Sequence, residues 1–304
     1  MRNLWRCSQI FWLTTTKNRL FVSAFSAFPR AIANFHHRSV SSTKTTTPTP
    51  TTTTQFQATT NLVFETSLVG AHDYNATMIV GKKASVESLL PDLLERLELS
   101  KFTPPAVVKA LSDSLDIKTG GSTSTILATS GSSSDSNDES VHRLVVAGLP
   151  TRLSRNNHPM AVHSLTKVVG SAVKGNHSRL VVLTDDFAIG PLALAIAKSF
   201  PLFGRKSSKR DEGKSKDKTL HITFVKSDGS IVTDVQQIQV AEVVAKYVRL
   251  AGRLVDSHPE LLTTTQFSKE VHQLVSEFPS VTITEIIGTE LATRGYGGIY
   301  GVGK

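Results

Sequence analysis

The sequence predicts an α/β fold, with a mixed sheet flanked by helices, on three observations. Short β-branched apolar runs recur along the chain, amphipathic stretches at helical spacing separate them, and polar or glycine-containing turns punctuate the alternation. At 304 residues the chain is long enough for one large domain or two ordinary ones. Apolar residues make up 39% and charged residues 19%, enough for a core, and no apolar run approaches the roughly 18 residues of a spanning helix. The single cysteine, Cys7, excludes an intramolecular disulfide framework and a thiolate-rich zinc site.

Taken in order, residues 1–40 carry spaced arginines among Phe, Trp, Leu and Ser with no acid, the composition of a mitochondrial transit segment whose basic amphipathic helix is drawn to a negative-inside potential. Mitochondrial localisation is therefore expected, with a cytoplasmic location as the alternative. Residues 41–60, Thr-rich and interrupted by Pro48 and Pro50, read as a linker. NLVFETSLV (61–69) and TMIVGK (77–82) read as strands, and residues 85–99 as a helix whose main part Pro91 should begin or kink. STSTILAT (122–129) is a further strand, and residues 130–140 form a polar loop. RLVVAGLP (143–150) is a strand of the buried kind; Asn157 with Pro159 should open a helix ending at Gly175. RLVVLT (179–184), a helix over 190–200, a charged loop at 204–218 and TLHITFVK (219–226) follow. Residues 235–255 place apolar side chains at helical spacing along a rod about 30 Å long, enough to span two domains. A helix capped by Thr264 or Thr265, the strand VTITEIIG, a short helix from Thr289 and a glycine-rich end complete the chain.

The net charge of +9 is concentrated rather than spread. Residues 1–64 hold seven basic residues and no acid, and the stretch 204–218 holds seven basic against three acidic residues. A nucleic-acid interface needs its cations on folded elements, so no nucleic-acid partner is expected.

The motifs that could carry chemistry are sparse. Gly298 to Lys304 has the G-x-x-x-x-G-K spacing of a phosphate-cradling loop, but a helical stretch precedes it, where such a loop requires a strand, and its glycines are better read as permitting tight turns and close approach. Asp185 and Asp186 fall at a strand end, where α/β sheets place ligands; paired carboxylates there hold a metal or divide acid and base roles, or else cap the next helix in a solvated turn, and with no third ligand in view the cap is the stronger reading. The histidines form no H-E-x-x-H motif, and His163 and His272 read as helix-surface residues. There is no G-x-S-x-G elbow, and Cys7 lies in the leader. No catalytic, cofactor-binding or metal-ligating residue is assigned.

LVDSHPELLTTTQF (254–267) and TELATRGYGGIYGVGK (289–304), with LPTRLSRNNHP (149–159) and KSFPLF (198–203), resemble the leucyl (cytosol) aminopeptidase family and its probable-aminopeptidase branch. The resemblance implies a macro-domain-like amino-terminal α/β domain over 61–233, a long linker helix over 234–257, and over 258–304 the truncated start of an α/β metallopeptidase catalytic domain that should expose apolar surface. It also implies a hexamer and peptide substrates, and in full length two divalent metals (manganese, zinc or magnesium) that activate a bridging water. The family's ligand blocks, resembling V-G-K-G-x-x-x-D-T-G-G and N-T-D-A-E-G-R, do not occur in these residues, so Lys304 is not the metal-binding lysine and the chain alone is expected to bind no cofactor and to be inactive. His258 and Glu260 stand where the family shows Pro and Asn, which puts the turn before the next helix in question. The alternatives are a macro-like module for a nucleotide or ADP-ribose and a regulatory partner of full-length aminopeptidase.

Overall fold

The computed structural model describes residues 9–14, 19–24, 60–68, 74–115, 118, 120–129, 140–172, 177–185, 189–202 and 218–303. They fall into two compact units, residues 54–256 and residues 1–53 with 257–304. In the leading segment, where a helix was expected, β1 (Gln9–Thr14) and β2 (Arg19–Ala24) are strands that pair as an antiparallel hairpin. Apart from Thr60, the linker reading of 41–60 lies outside the described residues.

The 54–256 unit opens with β3 (Thr60–Glu65) and β4 (Ala76–Lys82). Next come α1 (Lys83–Arg96) and α2 (Pro105–Asp113), then β5 (Gly121–Thr129) and β6 (Ser140–Leu149). The unit ends with α3 (Val162–Ala172), β7 (His177–Thr184), α4 (Ile189–Ser199), β8 (Lys218–Lys226) and α5 (Val235–Asp256). The six strands form one sheet in the order β3-β8-β7-β4-β6-β5, parallel throughout except for β5, which runs antiparallel to β6.

Helices cover both faces, which is why the central strands read as unbroken apolar runs. Met78, Val80, Leu180, Val182, Ile222 and Phe224 point to the face packed by α3, α4 and α5. Ile79, Val181, Leu183, Leu144 and Val146 point to the face packed by α1 and α2. The alternation within Leu180–Leu183 is the strand period of two expressed as two separate cores.

Several local expectations change. Pro91 does not begin or break α1, which runs unbroken through it, because Pro91 is exposed while Leu90, Leu93 and Leu94 are fully buried and hold the helix on the sheet. A helix unanticipated in the sequence, α2, starts with Pro105 at its first position, where a missing N–H costs nothing. Asn157 and Pro159 do not open α3. They belong to a turn in which the Asn157 amide donates to the Ser154 carbonyl and the Met160 amide to His158 Nδ1, and the helix begins only after Ala161 at φ 46°. The 204–217 part of the charged loop and the predicted end of α3 near Gly175 lie outside the described residues.

Helix α5 packs on α4 and β3 through Ile238, Ala241 and Ala245. Its Arg249 donates through Nε to the Phe200 carbonyl at 2.8 Å and through an Nη to the Thr60 carbonyl at 2.7 Å. Burial lowers the pKa of that guanidinium.

In the second unit, α6 (Thr264–Val275), β9 (Thr282–Ile287), α7 (Glu290–Thr293) and α8 (Gly297–Gly303) follow one another, and β9 pairs antiparallel with β1. The cap of α6 is Thr263, one residue before the expected pair, and its Oγ1 accepts from the Gln266 amide at 3.2 Å. The turn at His258 forms despite the departure from the family pattern: the amides of Leu261 and Leu262 donate to the His258 carbonyl and that of Glu260 to its Nδ1. The imidazole thus does the work that an Asx side chain would do in such a turn.

Candidate functional site

Ligands of doubly wound sheets bind at the carboxyl ends of strands, where successive connections leave to opposite faces. Here that point lies between β4 and β7: α1 follows β4 onto one face, and α4 follows β7 onto the other. Lys82 ends β4, and its ammonium donates to the carboxylate of Asp185, which immediately follows β7. The pair is partly exposed, at 34% and 47% of the two side chains. Beside it, the buried Thr184 hydroxyl donates to the Asp185 carbonyl at 2.8 Å.

Below this bridge the backbone is bare. Gly81 and Gly148 face each other across β4 and β6, and a Cβ on Gly81 would lie 2.6 Å from Leu183 Cβ, while one on Gly148 would touch Leu115. Leu183 and Leu115, both buried, pack directly against these two glycines.

Asp185 is therefore an ion-pair partner, with Asp186 outside the described residues. Lys82 escaped the sequence reading; the signal was a lysine closing the strand TMIVGK, but nothing local revealed its partner. The chemistry of the donors does not suit a dinuclear metal centre. Among the described residues no three His, Cys, Asp or Glu side chains converge, and Asp185 already neutralises Lys82. His163 lies exposed on α3, and His272 lies exposed on α6, 3.5 Å from Glu285, whose other carboxylate oxygen accepts from Ser268 Oγ at 2.6 Å.

The glycine-rich end is helical: α8 spans Gly297–Gly303, and helix α7 rather than a strand directly precedes it, which is not the context of a phosphate-cradling loop. The expected tight turn is confined to Gly295, at φ 86°, since Gly297, Gly298 and Gly301 have no neighbour within 4 Å of a would-be Cβ. Lys304 lies outside the described residues.

A polar layer that the sequence did not reveal lies toward the amino ends of the strands. His142 donates through Nδ1 to the Tyr74 carbonyl at 2.7 Å and accepts through Nε2 from Thr77 Oγ1 at 3.0 Å. Burial, aided by the Arg179 charge, lowers its pKa against the opposing Tyr74 bond, so the ring is neutral. The Arg179 guanidinium lies 3.9 Å over the Tyr74 ring, the ring meets His221 edge-on, and His221 Nδ1 donates to Glu65 at 2.6 Å. In this layer His142 and Arg179 are buried, while Tyr74, His221 and Glu65 are partly buried.

Residues 75–209 match the family described as M17 aminopeptidase N-terminal domain 2. Among curated proteins, "Probable aminopeptidase NPEPL1" of Homo sapiens is 36% identical over 160 residues and that of Mus musculus 34%, in both cases covering 52% of this chain and 30% of the relative. Among solved structures, apo leucyl aminopeptidase from Trypanosoma brucei aligns at a TM-score of 0.60 with 25% identity, over 80% of this chain and 46% of that one. Leucyl aminopeptidase from Leishmania major in complex with actinonin aligns at 0.60 with 22% identity, over 80% and 44%. The chain thus spans under a third of the curated relatives and under half of the solved structures.

Proposed function

We propose, from the premise that residues 75–209 form an N-terminal domain of the leucyl aminopeptidase family, that these 304 residues are the assembly and substrate-access portion of a metalloexopeptidase. In full length such an enzyme removes amino-terminal residues from peptides with two divalent ions, and its subunits associate as hexamers. The observation that carries the reading is that the family match lies within the sheet unit and takes in four of its six strands, with Lys82 and Asp185 bridging the switch point between two of them. A domain built this way supports a neighbouring reaction centre better than it hosts a nucleotide. Because the side chains present do not suit a metal pair, no hydrolytic step is assigned to them.

Two measurements test the proposal. Purified chain supplied with manganese should release no leucine from a leucyl amide, and measurable metal-dependent turnover overturns the assignment of an accessory role. Light scattering should show association, with itself or with a co-expressed full-length aminopeptidase; a strictly monomeric chain that ignores the full-length enzyme removes the assembly role. We further propose that residues 1–40 direct mitochondrial import, supported by their acid-free composition. A fluorescent protein carrying them should reach mitochondria, and a diffuse cytoplasmic signal overturns that reading.

A further inference from the structure

Three separated segments bring basic side chains to one cavity. The cavity, of about 290 Å³, opens where the chain leaves β6 at Pro150, and it is lined by Arg152 from the β6–α3 connection, His163 and Lys167 from α3, and Lys118 from the approach to β5. His163 and Lys167 are four residues apart on one helix and so share a face. Gly120, at φ 75°, is what lets the β5 approach lie against the β6 exit, since a Cβ there would sit 2.7 Å from Pro150 Cδ. Asn157 and the buried Ser164 add hydrogen-bonding groups to the lining, to which no carboxylate contributes among the described residues.

Like charges gathered around a concave surface raise its potential and favour an anion over water. The dipole of the eleven-residue α3 adds partial positive charge at its amino end, where His163 and Ser164 line the cavity. Arginine offers a planar fork matched to phosphoryl oxygens, and lysine a compact point charge. The volume lies at the lower edge of small-molecule sites, which begin near roughly 300 Å³, so a phosphoryl group with a small appendage fits and a dinucleotide does not.

We propose that this cavity is an anion site for the phosphoryl group of a small phosphate ester or diphosphate, bound by Arg152, His163 and Lys167. The site is independent of the aminopeptidase reading: it uses none of the switch-point residues and needs no metal.

Calorimetric titration of the full 304-residue chain at low ionic strength with inorganic pyrophosphate tests it, with inorganic phosphate and citrate as comparison ligands. Saturable pyrophosphate binding, stronger than that of citrate, is expected, as is at least a tenfold loss in the Arg152→Ala, Lys167→Ala double variant. The charge-matched double variant Lys101→Ala, Lys109→Ala, on exposed positions away from this cavity, should bind as the parent does. Thermal unfolding by circular dichroism confirms that both variants are folded, and because all four positions are exposed, both should be. Absence of saturable heat at millimolar pyrophosphate, equal binding of citrate, or equal losses in the two double variants each overturns the proposal.

Discussion

Among the residues whose burial is described, all but three of the buried apolar side chains belong to residues 54–256; residues 257–303 contribute Val275, Ile286 and Leu291. The first region closes its core on both faces of the sheet with its own helices. In the second, among the described residues, Ile286 and Leu291 are joined by partly buried Tyr296, Ile299 and Tyr300, while Leu261, Phe278, Ile287 and Val302 stay exposed. Strand β9 shows the contrast most directly. Its sequence, TITEII, is as β-prone as that of β7, yet one of its six residues is buried against seven of eight in β7. Strand propensity is thus the same in both places, and what differs among the described residues is how much apolar side chain packs against each strand.

The comparison can be broken most forcefully in the closed core. Phe224→Ala should cost about 3 to 5 kcal/mol by urea unfolding, because the stacked partner Phe64 and both neighbouring strands cannot collapse into the gap. Leu291→Ala, in the sparser cluster, should cost less than half as much, and equal losses would show that the second region packs as tightly as the first. Gly81→Ala should cost about 1 to 3 kcal/mol by the same measurement, since Leu183 must move to admit the methyl group.

A pH dependence is expected in the closed region from His142. Because burial depresses the His142 pKa in the folded state, the unfolded chain protonates first as pH falls, so His142 favours folding fully above a pH of about 6.5 and progressively less below it. The melting temperature should drop between pH 7.5 and 5.5, and His142→Asn should flatten that drop; an unchanged slope places the effect elsewhere. A gain is expected at Gly298→Ala, where α8 leaves open space around the would-be Cβ, of about 0.5 to 1 kcal/mol from reduced unfolded-state freedom. Smallest of all, Lys82→Met should change stability by roughly 0 to 1 kcal/mol, the range for a partly exposed ion pair.

Much of the fold was legible in residues 54–256 because runs such as Leu180–Leu183 are apolar on both faces, which only a sheet between two helical layers explains. Helix α2 was not, because Pro104 and Pro105 read as a break although a proline suits a helix start. The Lys82 to Asp185 bridge joins residues 103 apart, and the cation-lined cavity draws on segments from Lys118 to Lys167, so neither leaves a local spacing to read. The family resemblance in the 149–159 and 198–203 blocks was legible because it rests on contiguous residues, and the match over 75–209 spans both.

Strand β3 is the first element of the 54–256 unit, yet its one sheet neighbour is β8, and Arg249 of α5 reaches its opening carbonyl at Thr60 across 189 residues of chain while also holding the Phe200 carbonyl. During synthesis this edge must wait until most of the domain has left the ribosome, so its completion is governed by slow loop closure rather than by local propensity. A nascent chain halted before Arg249 would carry an uncapped sheet margin, a natural point of engagement for chaperones.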